Sequence, residues 1–440
     1  MKQSQSVSPN GDAPTKVTAG RRVWETLLAT TGSILRPLVI QALLAWERLE
    51  SGVSYNPTSR EVQRNPYPTY ERLRRKDPVH RMRLVDAWAI TQHQDIDAML
   101  RDSRRFSNGG RDYGYVDYVS LLDMDPPDHT RLRALVVKAF TPRAVAELAP
   151  RIRQTCEELL DDVEGTTRID LIEALAFPLP VIVIAEMLGV PPADRDRFKN
   201  WSQDAALSVE PALDPGQVRR VQRAFGNLRE YLNGLIERYQ REPQDNMISA
   251  LVAVEEAGDR LTREELLMTL MLLLVAGHET TRNLIGNGML ALLRNPDQLQ
   301  RLRDHPELLE SAIHELLRYD APVQLDSRVV QEDVEIGGKR IRKGQRVIGL
   351  IGAANRDPEA FVEPNLLDIG RDDRSHLSFG RGIHYCLGSS LAVLEGRIAL
   401  AALLRRFSSI QLAAEPEHID VVVLRGVREL WIDVERATGA

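Results

Sequence analysis

Two cysteines, Cys156 and Cys386, are all that 440 residues contain, too few for a disulfide framework of any size. The segment MKQSQSVSPNGDAPTK lacks the apolar core of a secretory signal, so reducing cytoplasm is the expected compartment. Long Gly/Ser linkers, charge blocks and internal repeats are missing too, which argues for one large domain despite the length. Net charge is only −6, with basic and acidic residues interspersed, and gives no reason to expect a nucleic-acid partner. What remains is an ordinary globular composition, 43% hydrophobic and 27% charged, sufficient for a sizeable buried core.

Residues 1–20 are polar and read as a disordered N-terminus. Residues 21–50, RRVWETLLATTGSILRPLVIQALLAWERLE, place Trp24, Leu27, Leu28, Leu35, Leu38, Val39, Ala42 and Trp46 at helical spacing, an amphipathic extension. Arg36 and Pro37 interrupt it, and neither apolar half approaches the roughly 20 residues of a membrane helix. Packing on the protein's own surface is the plain expectation; peripheral membrane contact through this basic, tryptophan-bearing segment is the sharper one.

From Tyr67 the chain becomes readable. YPTYERLRRKDPVHR is a short helix ended at Asp77-Pro78, and VHRMRLVDAWAIT alternates like two strands joined at Asp86-Ala87. In AVAELAPRIRQTCEELLDDV, Ile152, Cys156, Leu159 and Val163 share a helical face, which makes Cys156 a small core residue. EPALDPGQ, beginning at Glu210, reads as a mobile surface connection. LTREELLMTLMLLLVAGHETTRNLIGNGMLALL is the longest helical run, with Thr262 and Glu265 as a capping box at its start. HIDVVVLRGVRELWIDV alternates like strand near the C-terminus. The expected fold is mainly α with small β-sheets.

Cys386 is the residue to explain, since it lies in FGRGIHYCLG among three glycines and a histidine, ahead of an apolar helical run. Structural zinc needs about four N/S ligands at close spacings, and only His384 and Cys386 lie together. A nucleophilic cysteine finds a base in His384. Gly380-Arg381-Gly382 is no dinucleotide loop, because Tyr385 occupies the place of the third glycine. Glycines also let a backbone bend around a sulfur and direct amide N–H groups at it, which suits a thiolate bound to heme iron.

FGRGIHYCLG resembles the heme-binding signature of the cytochrome P450 superfamily, bacterial soluble type. Three further segments agree in order and spacing from about Tyr67 onward: Ala276-Gly277-His278-Glu279-Thr280-Thr281, similar to the family's oxygen-activating motif; Glu315-Leu316-Leu317-Arg318, like its Glu-x-x-Arg; and DPPDHTRLRALVVKAFTPRAV, like the helix along the heme edge. Alone, an acid-Thr pair or an i, i+3 Glu/Arg pair usually means little more than a solvated turn. Where the family commonly has a basic residue before the signature, this chain offers Arg371, and Val393 stands where many relatives have arginine.

The resemblance implies the P450 fold over residues 51–440, with heme b between the long central helix and the helix after the cysteine loop. Cys386 becomes the axial iron ligand, with Ala276, Phe379 and Gly388 beside the cofactor and His129, Arg133, Arg328 and His384 on its propionates; His376 and Arg381 are weaker candidates there. Glu279 and Thr280 become the proton-delivering pair, Glu279 as relay to solvent. Glu315, Arg318 and Arg371 take a structural role. Suggested pocket residues are Tyr113, Tyr115, Tyr118, Leu272, Val323, Leu325 and Leu424, mostly apolar, which favours a lipid, terpenoid, steroid or polyketide-like substrate. The implied activity is insertion of one oxygen atom from O2 into such a molecule, by hydroxylation or epoxidation. No flavin or nicotinamide loop or iron–sulfur cysteine set is present, so electrons are expected from a ferredoxin or flavodoxin with its NAD(P)H reductase, docking on Arg131, Arg133, Lys138, Arg143 and Arg381. A monomer is expected. A heme-thiolate ligand or gas sensor without turnover and a peroxide-driven peroxygenase are the alternatives; Thr280 and the Glu279-Thr280 pair weigh against them.

Overall fold

A computed structural model describes residues 35–109, 115–116, 119–139, 141–211, 213–256 and 259–437. Tyr113, Tyr118, the polar residues 1–20 and residues 21–34 of the extension therefore lie outside the described residues.

Helices dominate, and the longest, Arg263–Arg294, organises the rest. Its start is fixed as the sequence suggests: Thr262 Oγ1 accepts from Glu265 N at 3.2 Å, and Glu265 Oε2 accepts from Thr262 N at 2.8 Å. At about 1.5 Å per residue it runs roughly 48 Å through the molecule. Its Leu266, Leu267, Leu270, Met271, Leu274, Leu284, Ile285, Met289 and Leu290 are buried in the main core. Gly286 and Gly288 let neighbours come close, since a Cβ would meet Ile172 Cδ1 at 2.7 Å at the first and Leu316 Cδ1 at 3.1 Å at the second.

Helix Ala149–Asp161 buries Cys156 in that core together with Ile152 and Leu160, and burial pushes its thiol up to about 12, with help from the charges of Glu395 and Glu157. Cys156 is thus a packing residue. Helix Leu309–Tyr319 carries the Glu-x-x-Arg motif, and helix Ser389–Arg406 follows the cysteine loop.

Strands Val79–Met82 and Ala87–Ile90 form the expected hairpin, turning through Asp86 at φ 51°. Ala87–Ile90 pairs in parallel with Arg346–Gly349, which pairs antiparallel with Asp326–Val330, and Phe106–Ser107 completes five strands. A second sheet orders Phe407–Leu412, Trp431–Arg436 and Arg168–Asp170. The strand-like alternation of residues 418–434 is realised only in Trp431–Arg436. Upstream, residues 418–427 form an irregular loop with two isolated bridges, His418 to Val427 and Val323 to Leu424. The apolar alternation there serves contacts on several sides, not one sheet face.

The extension is helical over Leu35–Ser51, and Pro37 falls in its first turn, where a missing N–H costs nothing. Leu43 and Glu47 face the domain; Leu38 and Leu49 are 63% and 87% exposed. Glu47 is the docking residue. Its Oε2 lies 3.3 Å from His80 Nε2 and accepts from Tyr55 N at 3.0 Å, and its Oε1 accepts from Arg83 N at 2.6 Å. His80 Nδ1 lies 2.8 Å from Asp77 Oδ2, and Lys339 pairs with the same Asp77. No described helix is long and apolar enough to cross a membrane.

Candidate functional site

The cysteine loop bends because its glycines allow it. Gly380 and Gly382 sit at φ 68° and 67°, and a Cβ on Gly382 would lie 2.6 Å from the Leu100 carbonyl oxygen. Cys386 N donates to Phe379 O at 2.9 Å, closing the loop on itself. Burial pushes the Cys386 thiol up, opposed by the Gly388 N–H and the nearby Arg133 charge, both of which favour the thiolate. Gly388 caps the following helix, and a Cβ there would meet no protein atom within 4 Å.

On the other side of the loop, helix Asp128–Ala139 presents His129 and Arg133. The His129 and His384 rings pack at 4.1 Å between centroids, and Arg133 donates to the Tyr385 carbonyl. His129 is 1% exposed, yet both its ring nitrogens lack a hydrogen-bond partner in the protein. Burial, then the Arg133 charge, holds its pKa below the usual imidazole value. Buried polar atoms without partners are rare and call for a ligand group. Arg328, buried in strand Asp326–Val330, gives Nη1 to Asp326 Oδ1 at 2.7 Å and to Ser327 O at 2.8 Å. The expected propionate set thus contains buried cationic and imidazole donors. A glycine-held sulfur, open space at Gly388 and the orphaned His129 nitrogens fit heme.

His376 and Arg381 are otherwise engaged. His376 Nε2 meets His314 Nδ1 at 3.2 Å, and burial drives its pKa down to about 3. Arg381 donates to Ser375 O at 2.6 Å and pairs with Asp97 at 3.3 Å.

The central helix contributes Ala276, Glu279 and Thr280. Ala276 is exposed although most of that helix is buried, so a face opens at its midpoint. Thr280 Oγ1 donates to Ala276 O at 2.9 Å, the back-bond common for helix threonines. Glu279, expected as the relay to solvent, is held by an ion pair. Its Oε1 accepts from Arg282 Nη1 at 2.7 Å, and the pair is largely buried. Arg282 also donates from Nη2 to Val427 O at 2.9 Å, tying the pair to the C-terminal loop. Arg282 stands three residues after Glu279 in the sequence, and that i, i+3 acid/base pair was the missed signal.

Glu315, Arg318 and Arg371 do come together. Arg318 makes two 2.7 Å bonds to the Glu315 carboxylate, and Arg371 Nε adds a third contact to it at 3.1 Å. Arg318 Nη1 also donates to Asn355 O, while Asn355 Oδ1 accepts from Leu377 N at 2.7 Å, so the cluster reaches the cysteine loop through Asn355.

The suggested pocket residues divide. Val323 bridges Leu424, and both are partly exposed, as is Leu272. Leu325 instead packs on the separate cluster of Tyr55, Tyr70 and Leu350. Tyr115 is docked on the helix connection before Pro215, its OH accepting from Leu213 N at 3.2 Å. Sequence reasoning missed Glu210, buried although it opens a turn-rich, polar stretch.

Residues 198–421 match the family model described as Cytochrome P450. Cytochrome P450 CYP107DY1 of Priestia megaterium is 42% identical over 356 residues, 76% of this chain and 86% of that one. Vitamin D(3) 25-hydroxylase of Pseudonocardia autotrophica is 44% identical over 351 residues, 77% of this chain and 85% of that one. Among solved structures, CYP109E1 from Bacillus megaterium in complex with testosterone superposes with a TM-score of 0.78 at 38% identity, covering 84% of this chain and 99% of that one.

Proposed function

The chain belongs to the cytochrome P450 family and is a monooxygenase that works with heme b and O2, and from that premise we propose that Cys386 would hold the heme iron through its thiolate. In this reading His129, Arg133, Arg328 and His384 bind the propionates, while Ala276, Phe379 and Gly388 flank the ring. The observation that carries it is His129, whose two buried, partnerless nitrogens stand beside the glycine-held sulfur loop. A carboxylate acceptor supplies what those nitrogens lack. Heme bound there supplies thiolate-assisted activation of O2.

The protein's own part is to hold protons and exclude water. Thr280 commits its proton to the Ala276 carbonyl, so its oxygen presents acceptor capacity to the open face; rotation of that proton turns it into a donor. Glu279 is the neighbouring proton carrier, and Arg282 holds its carboxylate against the central helix. Apolar Leu272, Ala276, Val323 and Leu424 favour a steroid, secosteroid or similarly apolar substrate, as do the names of the vitamin D(3) hydroxylase and the testosterone complex. Electrons come from a ferredoxin or flavodoxin with its reductase. On the cysteine side Arg131, Arg143 and Arg381 already pair with Glu265, Glu147 and Asp97, so acidic partner groups compete for them. The exposed Leu38 and Leu49 support peripheral membrane contact by the extension.

The test is spectroscopic. The reduced, CO-bound holoprotein should show the red-shifted band of thiolate ligation, lost in Cys386→Ser and kept in Cys156→Ser. Retention of the band in Cys386→Ser would overturn the assignment. A screen of steroids and secosteroids by the low-to-high-spin shift of heme absorption then identifies substrates.

A further inference from the structure

Glu210 is a buried carboxylate, 3% exposed, that the proton relay and the cofactor set leave unused. It ends the short turn Leu207–Val209, which joins helix Arg195–Ala206 to helix Pro215–Arg241. Among the described residues no cation contacts it. Three consecutive backbone amides of the C-terminal loop do: Val422 N donates to Oε2 at 2.8 Å, Val423 N to both oxygens at 3.0 and 3.1 Å, and Leu424 N to Oε1 at 2.9 Å. Such a nest of N–H groups neutralises a carboxylate only while the loop keeps this conformation.

The same loop is held from the other sides by backbone and amide groups, and by Arg282 at Val427 O and the Arg425–Asp320 pair. Gln324 N donates to Val423 O at 2.9 Å, Arg425 N to Pro322 O at 2.7 Å, and Asn287 Nδ2, on the central helix, to Arg425 O at 2.9 Å. Tyr115 is anchored to the same helix connection through Leu213. The hydrogen bonds between the turn and residues 422–424 run through this one carboxylate. We propose that Glu210 is a positioning residue for substrate, clamping the Leu207–Glu210 turn onto residues 422–424 and so holding Leu424 in place and the two helices shut over the pocket. The proposal rests on the pocket reading above for its consequence to substrate, while the clamp itself rests on the four amide contacts.

With the clamp broken, the turn lifts away and bulky apolar molecules exchange faster, whereas small ones are indifferent. The holoprotein and its Glu210→Ala and Glu210→Gln variants are compared by stopped-flow heme absorption, with clotrimazole as bulky probe and imidazole as small probe. Glu210→Ala should raise the clotrimazole dissociation rate about tenfold or more, with Glu210→Gln intermediate because its amide oxygen still accepts, and imidazole should change less than about twofold. Hydrogen exchange supplies the readout that pocket identity does not affect: amides of 422–424 should lose protection in Glu210→Ala, while those of Gln324 and Arg425 keep theirs. Lost protection with unchanged clotrimazole kinetics would leave the clamp standing and overturn its role toward substrate. Unchanged protection of 422–424, or equal acceleration of both azoles, overturns the clamp. Should Glu210→Ala fail to fold, Glu210→Gln decides by the same two measurements.

Discussion

Arg318 grips Glu315 from one helical turn away, Nε 2.7 Å from Oε2 and Nη2 2.7 Å from Oε1, where neither side chain meets solvent. The guanidinium also donates to the carbonyls of Asn355, Pro364 and Leu366, and Asp368 N donates to Glu315. Removing one member strands a buried charge, at a cost of about 3–5 kcal/mol. Glu315→Ala should therefore yield little heme-replete protein, and Arg371→Ala, removing a less buried partner, a milder loss. The check is the heme-to-protein absorbance ratio after purification; a soluble Glu315→Ala with full heme content refutes it.

The orphaned nitrogens of His129 predict opposite effects in the two states of loading. His129→Phe keeps a ring against His384 and removes the unsatisfied atoms, so the heme-free protein should melt no lower than the parent. The loaded protein loses a hydrogen bond to a charged group, worth about 1.5–3 kcal/mol, and should release heme roughly ten- to a hundredfold faster. Heme transfer to apomyoglobin measures that rate.

Thr280 predicts a change in the fate of reducing equivalents. Thr280→Ala removes the hydroxyl bonded to the Ala276 carbonyl and should leave heme content and substrate spin shift intact. Product per NAD(P)H should fall several-fold while hydrogen peroxide rises, in a system reconstituted with ferredoxin and reductase. Unchanged coupling assigns the hydroxyl to helix packing alone.

Docking of helix Leu35–Ser51 should depend on pH. Burial lowers the His80 pKa, but its bonds to Asp77 and Glu47 outweigh burial, and the folded value lies above 6.5. Its stabilisation is complete below about pH 6.5 and disappears as pH rises through the raised folded value. Burial raises Asp77, but its bonds to His80 and Lys339 outweigh it and bring the value below 3.8, so that contribution disappears as pH falls through the lowered value. Hydrogen-exchange protection of residues 43–51, corrected for intrinsic exchange, should peak between about pH 4 and 6.5 and decline on the alkaline side. His80→Ala should abolish the alkaline decline.

The fold's long elements were legible because their signals are local: the Thr262–Glu265 box, the glycines around Cys386 and the apolar face holding Cys156 each lie within one helix or loop. Glu315, Arg318 and Arg371 were legible through resemblance. Glu210 was not, because its partners are more than 200 residues away and its neighbours Pro211, Leu213 and Pro215 speak only of a turn. Arg282 escaped for a related reason. A charged residue in a helix is ordinarily solvated, and only the Val427 carbonyl brought to it by the tertiary fold makes its burial affordable. Alternation across residues 418–427 misled because backbone there bonds to Glu210, Gln324, Pro322, Asn287 and Arg282 in place of one neighbouring strand.

That loop also dictates an order of events during folding. Arg425 donates to the carbonyls of Gln63 and Arg64, some 360 residues earlier, and to Asp320, while Val422 to Leu424 wait on Glu210. Contacts separated this far in sequence carry the largest loop-closure entropy and form after local helices are in place. A chain halted before residue 418 lacks these contacts and also Val427, Leu430, Ile432 and Val434 of the main core and the middle strand of the second sheet. The C-terminal segment therefore completes the core packing and the Glu210 contacts together.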